Sequence, residues 1–336
     1  MAPNRFRGRL SAGDKVPLKM TQYIIRRLLF GTVIISLVAL ISFLMIQAAP
    51  GDTLLARLAS GGRVNPAQLE EKRQQLGLDE PVLKQFGEWV GGVFRGDFGK
   101  SLIFEDRSVS GRILDTFPKT LELVLLSTIL SLLIAIPVGV VSAVKQDGAF
   151  DFLGRMFTTL GLAVPNFFLA ILVVVYGGIW FGISPPATQP SIFTHPIANL
   201  QAYLLPSLVL GVSLAAVTMR MTRATVLEVL RQDFVRTARA KGLTGRVILS
   251  RHVLRNSLIP VVTVFGNQFA FLIGGTVVVE SVFSIKGIGD LIFTSINFRD
   301  YTQIMGNTLF VGTAVVLVNL IVDISYAWID PRIRYS

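Results

Sequence analysis

The stretch FRGDFGKS, residues 94–101, contains residue types that bind nucleotide phosphates. Gly99, Lys100 and Ser101 match the end of the phosphate-loop motif G-x-x-x-x-G-K-[ST], in which backbone N–H groups, a lysine and a hydroxyl hold the phosphates and magnesium. The first glycine of that motif falls on Phe94, whose side chain would fill the space where the backbone must wrap the phosphates. The stretch is therefore half of a nucleotide motif, and the elements around it must decide whether it binds ATP.

The composition indicates a membrane protein. Of the 336 residues, 51% are hydrophobic and 16% are charged, and the mean hydropathy is +0.61. Soluble domains carry about 25% charged residues. The chain has no cysteine, which excludes disulfides and thiol chemistry, and His195 and His252 lie far apart. Without paired acids, a Ser/His set or clustered ligands, the sequence predicts no catalytic residue and no metal site.

Six uncharged or nearly uncharged stretches have the length of about 20 residues that a helix needs to cross a bilayer. They predict an all-α integral membrane protein with six transmembrane helices. The first stretch has 22 uncharged residues, more than the roughly 7–15 of a signal-peptide core, so it is expected to be retained. Residues 1–22 are expected to form a basic N-terminal tail. The predicted spans are 28–49, 123–144, 156–183, 200–219, 257–279 and 304–329.

The basic residues are concentrated on one side of the predicted membrane. Residues 1–27 hold seven basic residues and one acidic, and residues 220–256 hold nine basic and two acidic. On the other side, residues 50–120 hold ten of each sign. Since cytoplasmic loops carry the excess of Lys and Arg, both termini are predicted inside. FRGDFGKS then lies outside, where ATP is normally lacking, so the chain is predicted to have no nucleotide motor of its own.

The external segment, residues 50–120, is too long for a simple connection. Asn65 and Pro66 are a helix start signal, and Gly77 can end that helix. The segment is predicted to form a small helical external cap. A plain spacer is the alternative.

The cytoplasmic segment, residues 223–256, predicts a helix, a glycine turn and a second helix. Leu227, Leu230, Phe234 and Ala238 recur at helical spacing, and Gly242 can supply the left-handed stop. A basic outer side over an apolar inner side indicates a docking surface for a cytoplasmic partner. Two alternatives are a loop made basic only by its location and, disfavoured because both ends enter the membrane, a nucleic-acid-binding helix-turn-helix. No nucleic-acid partner is expected.

Several motifs resemble one family over almost the whole chain. RTARAKGL, residues 236–243, resembles the cytoplasmic EAA loop of ABC importer permeases, with Arg236, Thr237 and Ala238 in the first three places. The residues of this loop are similar to those of the B-type subunit of the dipeptide/oligopeptide/nickel permease family. Further matching stretches are APGD (49–52), LGLDEP (76–81), GDFGKS (96–101), FPKTLEL (117–123), VVVESVFSIKGIG (277–289) and NLIVDISYAWIDPRIR (319–334).

The resemblance implies a type I ABC importer permease fold and a place in the bacterial inner membrane. It implies a second permease subunit of the C type, two cytoplasmic ATPases that bind ATP and magnesium, and an external binding protein or lipoprotein. This chain would carry no cofactor itself. The loop that contacts an ATPase would consist of Arg236, Thr237, Ala238, Arg239, Ala240, Lys241, Gly242 and Leu243.

Three further acidic residues and one arginine complete the predicted sites. Glu280 ends the fifth span and is a possible contact of the outer gate or of the binding protein. Asp323 is expected near the inner interface, where it can pair with a basic residue. Asp323, Asp330 and Arg332 form a C-terminal sequence signature, and these residues are expected to have a structural role.

The substrate is not encoded in a readable motif. The family resemblance makes di- and oligopeptides the expected cargo of an ATP-driven import, with nickel chelates, oligosaccharides and glutathione-like solutes as alternatives. A secondary carrier is the remote alternative, but it would predict buried charges or two repeated halves with broken helices, and no internal repeat is visible.

Overall fold

A computed structural model describes residues 20–48, 80–101, 107–186 and 188–329, and in these ranges the chain is built from helices without a strand. The first group is α1 (Met20–Gln47), α2 (Val82–Phe94), α3 (Val109–Val144), α4 (Ala149–Ala163), α5 (Asn166–Phe181) and α6 (Pro196–Leu230). The second group is α7 (Asp233–Ala240), α8 (Gly245–Val247), a π-helical segment (Ile248–Val253), α9 (Leu254–Gly275), α10 (Val277–Val282), α11 (Ile288–Asn297) and α12 (Tyr301–Ile329).

The predicted spans fall on long apolar helices. Five stretches in the described ranges are long and apolar enough to cross a membrane, and they belong to α1, α3, α6, α8–α9 and α12. The hydrocarbon region of a membrane offers no hydrogen-bond partners. A helix can cross it because its backbone groups bond to one another. The predicted helical start at Asn65 lies outside the described residues.

The third predicted span departs from expectation. The sequence predicts one helix over 156–183 with a kink at Pro165, whereas the structure has two helices, α4 and α5, which meet at 97°. Val164 and Pro165 adopt extended conformations between them. Proline lacks the N–H that would continue the helix and restricts the residue before it, so the break falls at this dipeptide. We call α4 and α5 the bent pair.

Helices α3 and α6 pack together along most of their length. Small residues let the two backbones approach: a Cβ added at Gly211 would lie 3.1 Å from the Ser127 carbonyl oxygen, and one at Gly139 would lie 3.0 Å from that of Met219. In lipid, association depends on such close packing and on hydrogen bonds rather than on water exclusion. The α3–α6 pair is therefore the framework against which α4, α9 and α11 are placed.

The loop that resembles a phosphate loop has a different role. Gly99 has a φ of +90°, and its carbonyl oxygen accepts a hydrogen bond from the backbone N–H of Val109 (3.0 Å), the first residue of α3. Ser101 Oγ donates to the carboxylate of Asp300, which is fully buried and also accepts from Gln303 N at 3.3 Å. The loop therefore fastens the chain before α3 to the start of α12.

Arg112 strengthens this attachment from α3. Its Nη1 lies 3.6 Å from Asp300 Oδ2 and donates to Gln303 Oε1 at 3.2 Å. The side chain of Arg112 is 13% exposed, so the pair is shielded from water. Removing one partner of a buried ion pair strongly destabilises the folded protein, because the remaining charge is left buried without that partner.

This geometry predicts that Ser101 matters for stability and that Lys100 does not. Ser101→Ala removes a donor from a buried carboxylate and should lower the free energy of unfolding by about 1–3 kcal/mol. Lys100→Ala is the matched control, because that side chain is exposed. Thermal unfolding in detergent measures both changes. Equal effects, or loss of ATP binding on changing Lys100, would contradict the attachment role.

Candidate docking surface

The segment of residues 223–256 is not one continuous helix. Helix α6 ends at Leu230, Gln232 is extended with ψ 151°, and α7 begins at Asp233. The predicted apolar face of Leu227, Leu230, Phe234 and Ala238 is therefore wrong at Phe234, whereas Ala238 lies on the apolar side as predicted. Val235 (0% exposed) and Ala238 (7%) point inward, whereas Phe234 is 38% exposed.

The inward side of α7 is held by an apolar cluster at the end of the α3–α6 pair. Val235 and Ala238 belong there to a cluster shared with α3, α6 and the π-helical segment, so α7 cannot tilt without disturbing them. Burying each Val or Ile side chain contributes about 1.5–3 kcal/mol relative to exposure in water. The other members of the cluster are Val140, Ala143, Val226, Val229, Ile248 and Val253.

Gly242 ends α7 in the predicted left-handed conformation, with φ +80°. Gly242 N donates to the Arg239 carbonyl oxygen at 2.9 Å, and Leu243 N donates to that of Ala238 at 3.3 Å. These are the two hydrogen bonds of a Schellman motif. No other heavy atom comes within 4 Å of an added Cβ, so the constraint at this position is conformational rather than steric.

The outward side of residues 231–251 forms a basic surface with apolar residues among the charges, which we call the docking surface. Arg236, Arg239 and Lys241 are exposed on it. Leu243 is 39% exposed and Val247 is 38% exposed. The pair between Arg236 and Asp233, at 3.5 Å, is almost fully exposed and contributes little.

The site residues predicted from the sequence divide between the two sides of α7. Ala238 is buried and does not reach the docking surface, contrary to its predicted place in the loop that contacts an ATPase. Arg236, Thr237, Arg239, Ala240, Lys241, Gly242 and Leu243 are exposed. Cations around apolar side chains suit a partner that offers acidic groups around a groove.

Glu280 lies at the opposite end of the molecule and is fully buried. Its Oε1 accepts hydrogen bonds from Thr120 Oγ1 (2.7 Å) and Thr276 Oγ1 (2.8 Å), and its Oε2 accepts from Asp290 N (3.1 Å). Burial raises the pKa of this carboxyl, while the hydrogen bonds oppose that rise. The side chain joins α10 and α11 to α3, and its burial does not fit the predicted contact with an external protein. The gate role remains a prediction.

Asp323 pairs with a residue of α1. Its Oδ2 lies 3.1 Å from Arg27 Nη1, so the start of α1 and the end of α12 lie at the same end of the molecule. Asp330 and Arg332 lie outside the described residues. The pair also lines a cavity of about 620 Å³ between α1, α9 and α12, whose uncharged polar lining residues are Thr32, Thr263, Asn267 and Asn319.

Sequence reasoning missed a buried ion pair near the docking surface. Asp151 of α4 is fully buried and accepts two hydrogen bonds from Arg223 of α6. In the sequence, Asp151 and Arg223 are each one charge in a polar segment. They are 72 residues apart, so no local pattern indicates that they pair. Within the described ranges, no group of three or more His, Asp or Glu residues is arranged to hold a metal ion.

Comparison with known families finds matches over most of the chain. Residues 135–335 match the family described as binding-protein-dependent transport system inner membrane component, and residues 20–124 match its N-terminal family.

Individual relatives are similar over nearly their whole length. The chain is 40% identical to the oligopeptide transport system permease protein AppB of Bacillus subtilis, over 94% of this chain and 100% of the relative. It is 38% identical, with the same coverage, to the glutathione transport system permease protein GsiC of Escherichia coli. It is also 37% identical, again with that coverage, to a putative peptide transport system permease protein of Brucella abortus.

A solved structure shares the fold. The match is a chain of the MetNI methionine ABC transporter in an inward-facing conformation, with a TM-score of 0.53 and 18% identity. It covers 65% of this chain and 96% of that one.

Because Gly242 adopts the left-handed conformation of the Schellman turn, the stability of a variant depends on whether the new residue tolerates that conformation. Gly242→Val should destabilise the turn by about 1–2 kcal/mol, because L-residues are strained in the left-handed region. Gly242→Asn is the control, since Asn tolerates that region better. Limited trypsin cleavage at Arg239 and Lys241 should accelerate in the valine variant and change little in the asparagine variant. Equal cleavage of the two variants would contradict this view of the turn.

Proposed function

Because the chain belongs to the family of inner membrane components of binding-protein-dependent transport systems, we propose that it forms half of the translocation pathway of an ATP-driven importer. The protein is a multi-pass inner-membrane permease subunit and not an enzyme, since ATP hydrolysis lies in separate subunits of such systems. The observation that carries the proposal is the docking surface, a rigid element with exposed cations and an apolar centre.

The docking surface faces the cytoplasm in this proposal. The concentration of Lys and Arg in residues 1–27 and 220–256 supports that orientation. The Arg27–Asp323 pair joins the start of α1 to the end of α12, which supports a location of both termini on the same side of the membrane. The loop of residues 96–101 and Glu280 then belong to the external side.

The proposed complex contains two permease subunits, this chain and a C-type relative. Two cytoplasmic ATPases hold the ATP and magnesium, and an external binding protein or lipoprotein delivers the substrate. The apolar centre of the docking surface inserts into a groove of one ATPase, and Arg239 and Lys241 pair with acidic groups at its rim. Because the cluster under α7 is closely packed, movement of the ATPase is passed to α3 and α6 as a rigid-body movement.

The proposed cargo is a di- or oligopeptide. Relatives named for peptide and oligopeptide transport support this choice, at 37–40% identity. Glutathione, itself a short peptide, is the second candidate, because a relative named for its transport is 38% identical. Nickel chelates and oligosaccharides remain the further alternatives.

Reversal of one charge tests the docking surface. Arg239→Glu places a like charge against the proposed acidic rim and should weaken binding of the ATPases by at least about 1.4 kcal/mol, which is tenfold. Arg95→Glu, at an exposed position near the external loop, is the matched control. Both are measured in the reconstituted complex as ATPase affinity and as uptake of labelled peptide. Unchanged affinity in Arg239→Glu would contradict the proposed contact.

The same uptake assay separates the cargo candidates. Excess unlabelled dipeptides or oligopeptides should compete with the labelled peptide, and glutathione should compete weakly. Competition by glutathione that is stronger than competition by any unlabelled peptide would move the assignment to glutathione, and no peptide uptake at all would overturn the peptide proposal.

A further inference from the structure

The start of the bent pair is fixed to α6 by an ion pair in which Asp151 is fully buried and Arg223 is 21% exposed. Arg223 Nε donates to Asp151 Oδ1 at 2.6 Å, and Arg223 Nη2 donates to Asp151 Oδ2 at 2.8 Å. Ser142 Oγ of α3 donates to Oδ1 at 2.5 Å, and Asp147 N donates to Oδ2 at 3.0 Å. The carboxylate thus joins three helices, with a fork geometry that fixes orientation as well as distance.

The packing below this ion pair keeps α4 against α6. Gly154, Thr158 and Gly161 form the buried face of α4, at the i, i+4, i+7 spacing of one helical face. A Cβ added at Gly161 would lie 2.9 Å from the Ala216 side chain, and one at Gly154 would clash with the Met219 side chain, both residues of α6. With so little space, α4 cannot slide along α6 without separating from it.

The ion pair stands close to the docking surface. Arg223 precedes the end of α6 at Leu230 by seven residues, about 10 Å of helix. The two residues before the turn at Arg231, Val229 and Leu230, belong to or pack against the apolar cluster under α7. A displacement of α7 therefore reaches Arg223 through about two turns of one helix.

Beyond the break at Pro165, the bent pair continues toward the other end of the molecule. Asn166, the first residue of α5, accepts a hydrogen bond from Ser213 of α6. Helix α5 then packs against α10, which carries the buried Glu280. The bent pair is thus attached to α6 on both sides of its break, and it leads from the docking surface to the segment that Glu280 holds.

We propose that the Asp151–Arg223 pair is the joint that makes the bent pair move as one body with the docking surface. This inference rests on the proposed function, because the docking surface moves only if an ATPase moves it. Asp151 and Arg223 are positioning residues, and neither touches the cargo. Arg155 also lies 3.7 Å from Asp151 but is 52% exposed, so it contributes little to the joint.

A distance measurement tests the rigid connection. The chain has no cysteine, so spin labels can be attached at Thr159→Cys on α4 and Ser250→Cys on the π-helical segment, both exposed. The complete complex is used, with cysteine-free partner subunits, with and without ATP. The label distance should stay constant in the otherwise unchanged chain. In Asp151→Asn it should broaden or change with ATP. A nucleotide-dependent distance in the unchanged chain would overturn the proposal.

Transport measurements test what the joint does. Asp151→Asn and Arg223→Lys, which keeps the charge but loses the fork, should lower the peptide transported per ATP hydrolysed roughly fivefold or more. Arg155→Lys is the matched control and should leave that ratio unchanged. Assembly with the ATPases, measured by co-purification, should be intact in all three. An unchanged ratio in both Asp151→Asn and Arg223→Lys would overturn the proposal.

Failure of the proposed function gives a different result. If the unchanged complex binds no ATPase or transports nothing with ATP, the proposed function fails and the joint has nothing to transmit. If the unchanged complex transports but its label distance varies with ATP, only the joint is refuted. If Arg223→Lys does not assemble, Asp151→Asn alone decides by its label distance.

Discussion

Three buried carboxylates are each bonded to the α3–α6 framework, and these bonds fix the positions of α4, α10 and the start of α12. Asp151 is held by Arg223 and Ser142, Glu280 by Thr120, and Asp300 lies beside Arg112. All three carboxylates have 0% exposure. A buried charge without partners is costly, so each bond fixes the element that carries the acid to the framework.

The two ends of the framework have different chemistry. At one end, α7 presents cations and apolar side chains outward while Val235 and Ala238 anchor it inward. At the other end, the loop of residues 96–101 and the segment around Glu280 fold back onto α3 and α12. Because close-packed helices shift between discrete arrangements rather than deform continuously, a push at the first end can be transmitted to the second.

The sequence predicted what local rules determine. The apolar stretches and the left-handed turn at Gly242 could be read from composition and residue type alone, since neither needs a distant partner. The buried carboxylates could not, because their partners lie 72, 160 and 199 residues away. Phe234 was assigned to the wrong side because the break at Gln232 shifts the helical periodicity, and no glycine or proline marks that break. Pro165 was recognised, but not the 97° between the helices it separates.

The composition of the native complex tests the central claim most directly, namely that this chain is a permease driven by separate ATPases. The subunit is tagged, extracted in mild detergent from its own membrane, and its companions are identified and assayed for ATP hydrolysis. We predict a second permease and two ATPase subunits, with hydrolysis stimulated by a binding protein. If the chain is purified alone or only with copies of itself, and still moves solute without ATP, the account is contradicted and a secondary carrier takes its place.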